Sequence, residues 1–310
     1  MTNEQLGLMQ LPNLATRKGV LRLAALLATA AWLGGAPGAW ATGPLIALSP
    51  YENHPNSTVQ GKGAGFGAYE AIDIYFDTTD EALAIANANG AFPKIPIPVP
   101  ASALPGTHYV TAVQRSNGEG SQRVFTVNTD WAQFHFNEKR KGLNAWENVL
   151  APNNVASLDV AWTAATLGAV TSSPAVVGGN LYICSEDYLL YSFNATSGAE
   201  NWGINLNTSC DSSSAVANGV IYVGYNDGIL HAINTANGTQ NWFYETGGAI
   251  KSSPVVANGV VYFGSKDDNL YAVDATTGAT LWTAPTGYAI NSSPAVANGV
   301  VYVGSEDGNT

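Results

Sequence analysis

Residues 258–282 read NGVVYFGSKDDNLYAVDATTGATLW, and the organisation of the chain can be worked out from them. Asn258-Gly259 stands between two apolar runs, Val255-Val256-Ala257 and Val260-Val261-Tyr262-Phe263. Both turn residues tolerate positive φ, so the pair reads as a tight hairpin. A second turn falls at Asp267, and a third, Ala275-Thr276-Thr277-Gly278, precedes Trp282. Three turns cut the stretch and its flanks into four short strands. The run Val260-Val261-Tyr262-Phe263 is apolar without alternation, as a strand covered on both sheet faces must be.

The pattern recurs. Trp162, Trp202, Trp242 and Trp282 follow one another at intervals of 40 residues. Ser172-Ser173, Ser212-Ser213, Ser252-Ser253 and Ser292-Ser293 keep the same phase, as do Tyr182, Tyr222, Tyr262 and Tyr302. So do Asp187, Asp227, Asp267 and Asp307, and Gly198, Gly238 and Gly278. Asn218-Gly219, Asn298-Gly299 and Gly178-Gly179 repeat the first hairpin. A 40-residue period with three turns describes a four-stranded propeller blade, not a helix pair. The serine pairs suit a crowded axis, and the more polar fourth strands, around Asn201 and Gln240, suit the outer rim.

The repeats resemble the PQQ-like β-propeller family, whose blades share the docking pattern Ala-x-Asp-x-x-Thr-Gly-x-x-x-Trp. Ala272, Asp274, Thr277, Gly278 and Trp282 match it in full. Ala232, Asn234, Asn237, Gly238 and Trp242 match with two changes, and Ser192, Asn194, Ser197, Gly198 and Trp202 with three. The resemblance implies that each indole packs against a neighbouring blade, which makes Trp162, Trp202, Trp242 and Trp282 the structural residues of first interest. Residues 129–162, from Asp130-Trp131-Ala132-Gln133-Phe134 onward, resemble the lead-in to a first blade and end in a strand of fourth-strand phase. The repeats proper, 163–310, amount to about 3.7 periods of 40. The family usually has more blades. The expectation is therefore a C-terminally truncated reading, in which the strand around Trp162 lacks a partner.

Residues 42–128 lack the period. Segments such as Ala71-Ile72-Asp73-Ile74-Tyr75-Phe76 and His108-Tyr109-Val110-Thr111-Ala112-Val113 alternate as short strands between Gly, Pro and Asn clusters. They predict a small antiparallel sandwich resembling Ig-like or TIG-type modules. Gly63-Ala64-Gly65-Phe66-Gly67 reads as a structural turn, because no phosphate-binding helix follows it. The fold class is thus all-β: a partial propeller behind a β-sandwich.

Residues 1–41 read as an export signal. Arg17, Lys18 and Arg22 form a positive region, Val20 to Leu33 an apolar one, and Ala39-Trp40-Ala41 a cleavage pattern before Thr42. The apolar run is short for a membrane span, so no stable span is expected after cleavage. Thr16-Arg17-Lys18 resembles a twin-arginine signal with one Lys, which leaves the Sec and Tat routes both open. The mature chain is expected to be periplasmic or extracellular. Net charge is −11 overall, and the remainder after residue 41 has 9 basic and 22 acidic residues. An acidic chain cannot replace the counterions of a phosphate backbone, so nucleic acid is excluded as a partner.

Little else points to chemistry. Cys184 and Cys210 lie in adjacent repeats, where a disulfide or two buried thiols both remain open. His54, His108, His135 and His231 show no ligand spacing, and the repeated aspartates fit β-turns better than calcium sites. Lys139-Arg140-Lys141 reads as a solvated loop. The sequence nominates no catalytic, cofactor-binding or metal-binding residue. The expected function is a non-catalytic exported scaffold that binds a protein or glycan. The alternative is the front part of a PQQ-dependent dehydrogenase, a resemblance that implies adjacent cysteines, a calcium ion and a catalytic Asp; this sequence has no Cys-Cys pair. PQQ would then need a site completed by further blades.

Overall fold

The computed structural model describes residues 5–10 and 43–308. They form two compact units: residues 43–129 with 148–151, and residues 5–10 with 130–147 and 152–308. The export reading of residues 1–41 lies outside the described residues except for one strand, β1 (Gln5–Gln10).

The first unit holds β2 (Leu45–Ser49), β3 (Glu52–Asn53), β4 (Thr58–Ala64), β5 (Ala71–Phe76), β6 (Thr79–Ile85), β7 (Phe92–Pro98), β8 (Gly106–Gln114) and β9 (Gly120–Val127). They make a three-stranded sheet, β2-β4-β7, and a five-stranded sheet, β3-β9-β8-β5-β6. Alternation decides the faces: along β5 every second residue (Ile72, Ile74, Phe76) is buried. These meet Ile46, Val59, Ile97 and Phe125 in one core. Pairing is antiparallel except at β3, two residues that lie parallel to β9. The glycine run ends β4, where a Cβ on Gly63 would lie 2.1 Å from the Phe92 ring. That close approach, rather than phosphate chemistry, requires the glycine. The short return of residues 148–151 to this unit had no signal in the sequence; Asn148 Nδ2 donates to Ala101 O and Ala103 O.

The second unit is the repeat. After β10 (Asp159–Ala165) come β11 (Ala175–Val177), β12 (Asn180–Cys184), β13 (Leu189–Asn194) and β14 (Glu200–Asn205) as the first blade. β15 (Ala215–Ala217), β16 (Val220–Gly224), β17 (Ile229–Asn234) and β18 (Gln240–Glu245) form the second. β19 (Val255–Ala257), β20 (Val260–Gly264), β21 (Asn269–Asp274) and β22 (Thr280–Pro285) form the third. β23 (Ala295–Ala297) and β24 (Val300–Tyr302) begin the fourth.

Each blade is an antiparallel meander, and the register repeats: Ala175↔Tyr182, Ala215↔Tyr222, Val255↔Tyr262 and Ala295↔Tyr302. Asn218, Asn258 and Asn298 all adopt positive φ, followed by a positive-φ glycine, the type of turn whose twist matches the strands it joins. Middle strands are buried on both faces, while the fourth strands are exposed at alternate residues. Trp162's strand differs from expectation: β10 does have a partner, pairing antiparallel with β1. A strand edge carries free N–H and C=O groups and takes up an available extended segment. Among the described residues no helix is long and apolar enough to cross a membrane.

Candidate functional site

The indoles dock blade to blade. Trp162 Nε1 donates to Ala195 O at 3.0 Å, Trp202 Nε1 to Thr235 O at 3.1 Å and Trp242 Nε1 to Ala275 O at 3.2 Å. Each acceptor lies 33 residues on, in the third turn of the following blade. The glycine of that turn lets the ring approach: a Cβ on Gly198 or Gly278 would lie 2.5 or 2.7 Å from the indole. Trp282, in the third blade's last strand, packs against Tyr262 and is 39% exposed.

One end of the blades is built by the aspartates. In a meander the second turn of a blade and the loop entering that blade lie at the same end, and these are hydrogen-bonded. Asp187 Oδ2 accepts from Leu167 N and from Tyr191 Oη at 2.7 Å; Asp267 Oδ2 accepts from Gly247 N and Tyr271 Oη, also at 2.7 Å; Asp307 Oδ2 accepts from Gly287 N. Burial alone would raise the Asp267 carboxyl, but Tyr271, Gly247, Asn269 and Ser265 donate to it and hold it below its usual range. The aspartates are thus loop clamps. Glu186, Asp227, Asp268 and Glu306 add charge to the same end, against Lys251 and Lys266, and Lys251 is paired with Asp211 at 2.7 Å. The opposite end, with its Asn-Gly turns, carries few charges.

This loop end also exposes large apolar side chains that the sequence reading passed over. Leu167 is 86% exposed, Tyr288 63% and Tyr188 48%. Forty-residue spacing puts Asn207, Gly247 and Gly287 at the position of Leu167, and Gly228, Asp268 and Gly308 at that of Tyr188. Tyr188 has φ of 74°, a left-handed conformation that glycine or aspartate accepts and a bulky residue resists. Departure from the repeat consensus was the signal that would have found these residues.

Along the inner strands, the second serine of each pair links to the next blade: Ser173 N donates to Ser213 Oγ, Ser213 N to Ser253 Oγ and Ser253 N to Ser293 Oγ, at 2.9 to 3.0 Å. The lead-in crosses these strands. Trp131 O, Ala132 O, Gln133 Oε1 and Glu138 O accept in turn from Val176, Val216, Val256 and Val296 N, one inner strand each. The basic cluster is therefore not a solvated loop throughout. Lys139 and Lys141 are exposed, but Arg140 donates to Phe134 O, Ser253 O, Pro254 O and Pro294 O, with its guanidinium over the Phe134 ring at 5.2 Å. Burial pulls its pKa down to about 10, still far above neutral pH, so it remains a cation. Five planar donors suit converging carbonyls, a match that charge counting along the chain does not reveal.

Cys184 and Cys210 are joined, with Cα atoms 5.9 Å apart, between the first and second blades. The histidines are dispersed. His108 Nδ1 lies 2.6 Å from Asp77 Oδ2 and its Nε2 2.6 Å from Leu104 O, while His54 Nδ1 meets Pro55 O. His135 stacks on Phe134. His231 is buried with Nδ1 against Gln240 Oε1. No group of three His, Cys, Asp or Glu placed to hold a metal occurs among the described residues.

Residues 121–310 match the family described as outer membrane protein assembly factor BamB. Among solved structures the chain is similar to BamB from Moraxella catarrhalis (23% identity, TM-score 0.44, 47% of each chain covered). It is also similar to a quinohemoprotein alcohol dehydrogenase from Comamonas testosteroni, at 23% identity and TM-score 0.46, covering 51% of this chain and 27% of that one. A europium-containing methanol dehydrogenase follows at 22% identity and TM-score 0.44, covering 51% and 32%. The chain thus spans less than half the length of each. No curated protein matches it.

Proposed function

The chain belongs to the PQQ-like repeat family of the outer membrane protein assembly factor BamB, and from that membership we propose that it is an exported, non-catalytic scaffold whose propeller loop end binds a protein. The observation that carries this reading is Tyr188. A half-exposed tyrosine held at φ of 74° costs about 1 kcal/mol relative to the glycine found at two of the three equivalent positions, Gly228 and Gly308. With Leu167 and Tyr288 it exposes apolar side chains at the end of the blades that also carries the acidic residues, a composition that suits protein binding.

The quinone that gives the repeat its name does not fit these residues. PQQ is a planar tricarboxylate, and a site for it needs cations and a stacking partner. Here Arg140 is committed to four backbone carbonyls, the loop end is acidic, and the two cysteines are joined across blades rather than adjacent in sequence. Mixing the protein with PQQ and calcium should leave the quinone absorbance unchanged; a bound, redox-active quinone would favour the dehydrogenase reading.

The docking reading is tested by photo-crosslinking in cells. A photoreactive residue at Leu167 should give a discrete protein adduct, one at Ala236 in the opposite turns none, and Tyr188→Gly should suppress the Leu167 adduct while raising the melting temperature. Equal adducts from both ends would end the reading. Cleavage before Thr42 would appear as a mature N-terminus at that residue in the non-cytoplasmic fraction, and would take β1 away from β10.

A further inference from the structure

β10 docks its tryptophan as the fourth strands of the blades do, and β1 lies beside it where a third strand belongs. The register agrees residue by residue. In the first blade Leu190, Tyr191 and Ser192 stand opposite Ile204, Gly203 and Trp202; a bulge follows, and Phe193 stands opposite Glu200. One period of 40 earlier, Leu6, Gly7 and Leu8 stand opposite Ala164, Thr163 and Trp162; the bulge follows, and Met9 stands opposite Val160. The second and third blades shift at the same point, after Ala232 and Ala272. The extra residue is always on the fourth strand, at Ala161, Asn201, Asn241 and Leu281. β10 therefore keeps the shape that receives a third strand, and β1 fills that slot from end to end.

The sequence of β1 follows the third-strand pattern in part. Third strands read LLYSFN, ILHAIN and NLYAVD, and β1 reads QLGLMQ. The second residue is leucine in all four, and Leu190, Leu230 and Leu270 are buried. The fifth is apolar in all four, and the sixth carries an amide or a carboxylate. The third and fourth depart. Gly7 stands where the blades have the rings of Tyr191, His231 and Tyr271, and Leu8 stands opposite Trp162 where the blades put Ser192, Ala232 and Ala272 opposite theirs. β1 thus offers the main-chain pairing of a third strand with a poorer choice of side chains. Attachment compensates, because a tethered segment acts at an effective concentration that is roughly millimolar.

We propose that residues 5–10 are a placeholder strand. In the uncleaved chain they cover the edge of β10 and keep it from pairing with other chains. Removal of residues 1–41 vacates the slot for an extended segment of the blades' own third-strand pattern, Leu-x-small-apolar-Asn/Asp. Such a segment gains the same main-chain hydrogen bonds, as in other strand additions, and sets a small residue opposite Trp162. The proposal rests on the export reading, since only cleavage before Thr42 releases β1; the strand-accepting edge then opens after export and not before.

The test uses the full chain before and after treatment with signal peptidase. Gly7→Cys with Thr163→Cys sets two cysteines directly opposite each other. That pair should cross-link in the uncleaved chain and keep residues 1–41 attached, without reductant, after cleavage. Gly7→Cys with Ala164→Cys, one residue out of register, should not. A fluorescein-labelled peptide of residues 228–236 should bind the unaltered chain at least roughly tenfold more tightly after cleavage than before, and should slow hydrogen exchange in β10. The same peptide with Ala232→Leu should bind less tightly. Leu6→Pro with Gly7→Pro, which removes two adjacent amide donors, should let the uncleaved chain bind the peptide as the cleaved chain does. No cross-link from the opposed pair, or equal peptide binding before and after cleavage, would overturn the placeholder and leave the export reading standing. A non-cytoplasmic chain that retains residues 5–10 would overturn both. Protection of β10 that rises with protein concentration, without peptide, would make the occupant a second copy of the chain and overturn the vacated slot.

Discussion

At the scale of single residues the repeat works by pairing a large ring with an absent side chain. Trp242 reaches Ala275 O only because Gly278 presents no Cβ, and at φ of 73° glycine is also the residue that turn accepts most readily. Trp242→Ala should cost about 3 kcal/mol in chemical unfolding, and Gly278→Ala about 2 kcal/mol through the clash with the ring. His231 is the residue where the second blade departs from its neighbours, which have Tyr191 and Tyr271 bonded to their aspartates. Burial lowers its pKa, more than Gln240 and Asp227 restore it, and Nε2 has no hydrogen-bond partner among the described residues. As pH falls below the ordinary histidine range the unfolded chain takes up a proton that the folded chain still refuses. Stability should therefore decline over that window. His231→Tyr should flatten the pH dependence of the melting temperature and add about 1 kcal/mol by a hydrogen bond to Asp227. Retention of the slope in that variant would place its origin elsewhere.

At the scale of elements, adjacent blades meet where a second strand ends. Gly224 and Gly264 sit there against Ile250 and Ile290, so closely that a Cβ would lie 2.2 and 2.1 Å from the isoleucine side chain. Cys184 and Cys210 occupy the corresponding places between the first two blades, at the same separation of 26 residues. The disulfide therefore replaces a packing contact that the other interfaces make without covalent help. Cys184→Gly with Cys210→Ile should remain folded under reducing conditions and lose less stability than the paired alanine variant, which combines loss of about 3 kcal/mol of cross-link with a cavity. Urea unfolding of both variants checks this, and a double variant no better than the alanines would mean that the contact is not interchangeable.

At the scale of the propeller unit, the lead-in ties the four inner strands together. Arg140 is its most committed side chain, because its removal leaves the carbonyls of Ser253, Pro254 and Pro294 without their donor at the junction of two blades. Arg140→Ala should destabilise by about 3 kcal/mol, and Arg140→Lys should recover little, since an ammonium cannot serve carbonyls spread over a planar fork. Full recovery by lysine would show that charge, not the fork, is what the junction uses.

The blades, their four strands, the hairpin turns and the docking indoles were legible in the amino-acid sequence because each rests on local rules, φ preference and side-chain alternation, repeated every 40 residues. Only the tertiary structure decided what has no period. Residue 140 meets carbonyls 113 to 154 positions away, and Asn148 returns to the carbonyls of Ala101 and Ala103. Such contacts join sites remote along the chain through backbone groups that every residue carries, so side-chain pattern holds no record of them.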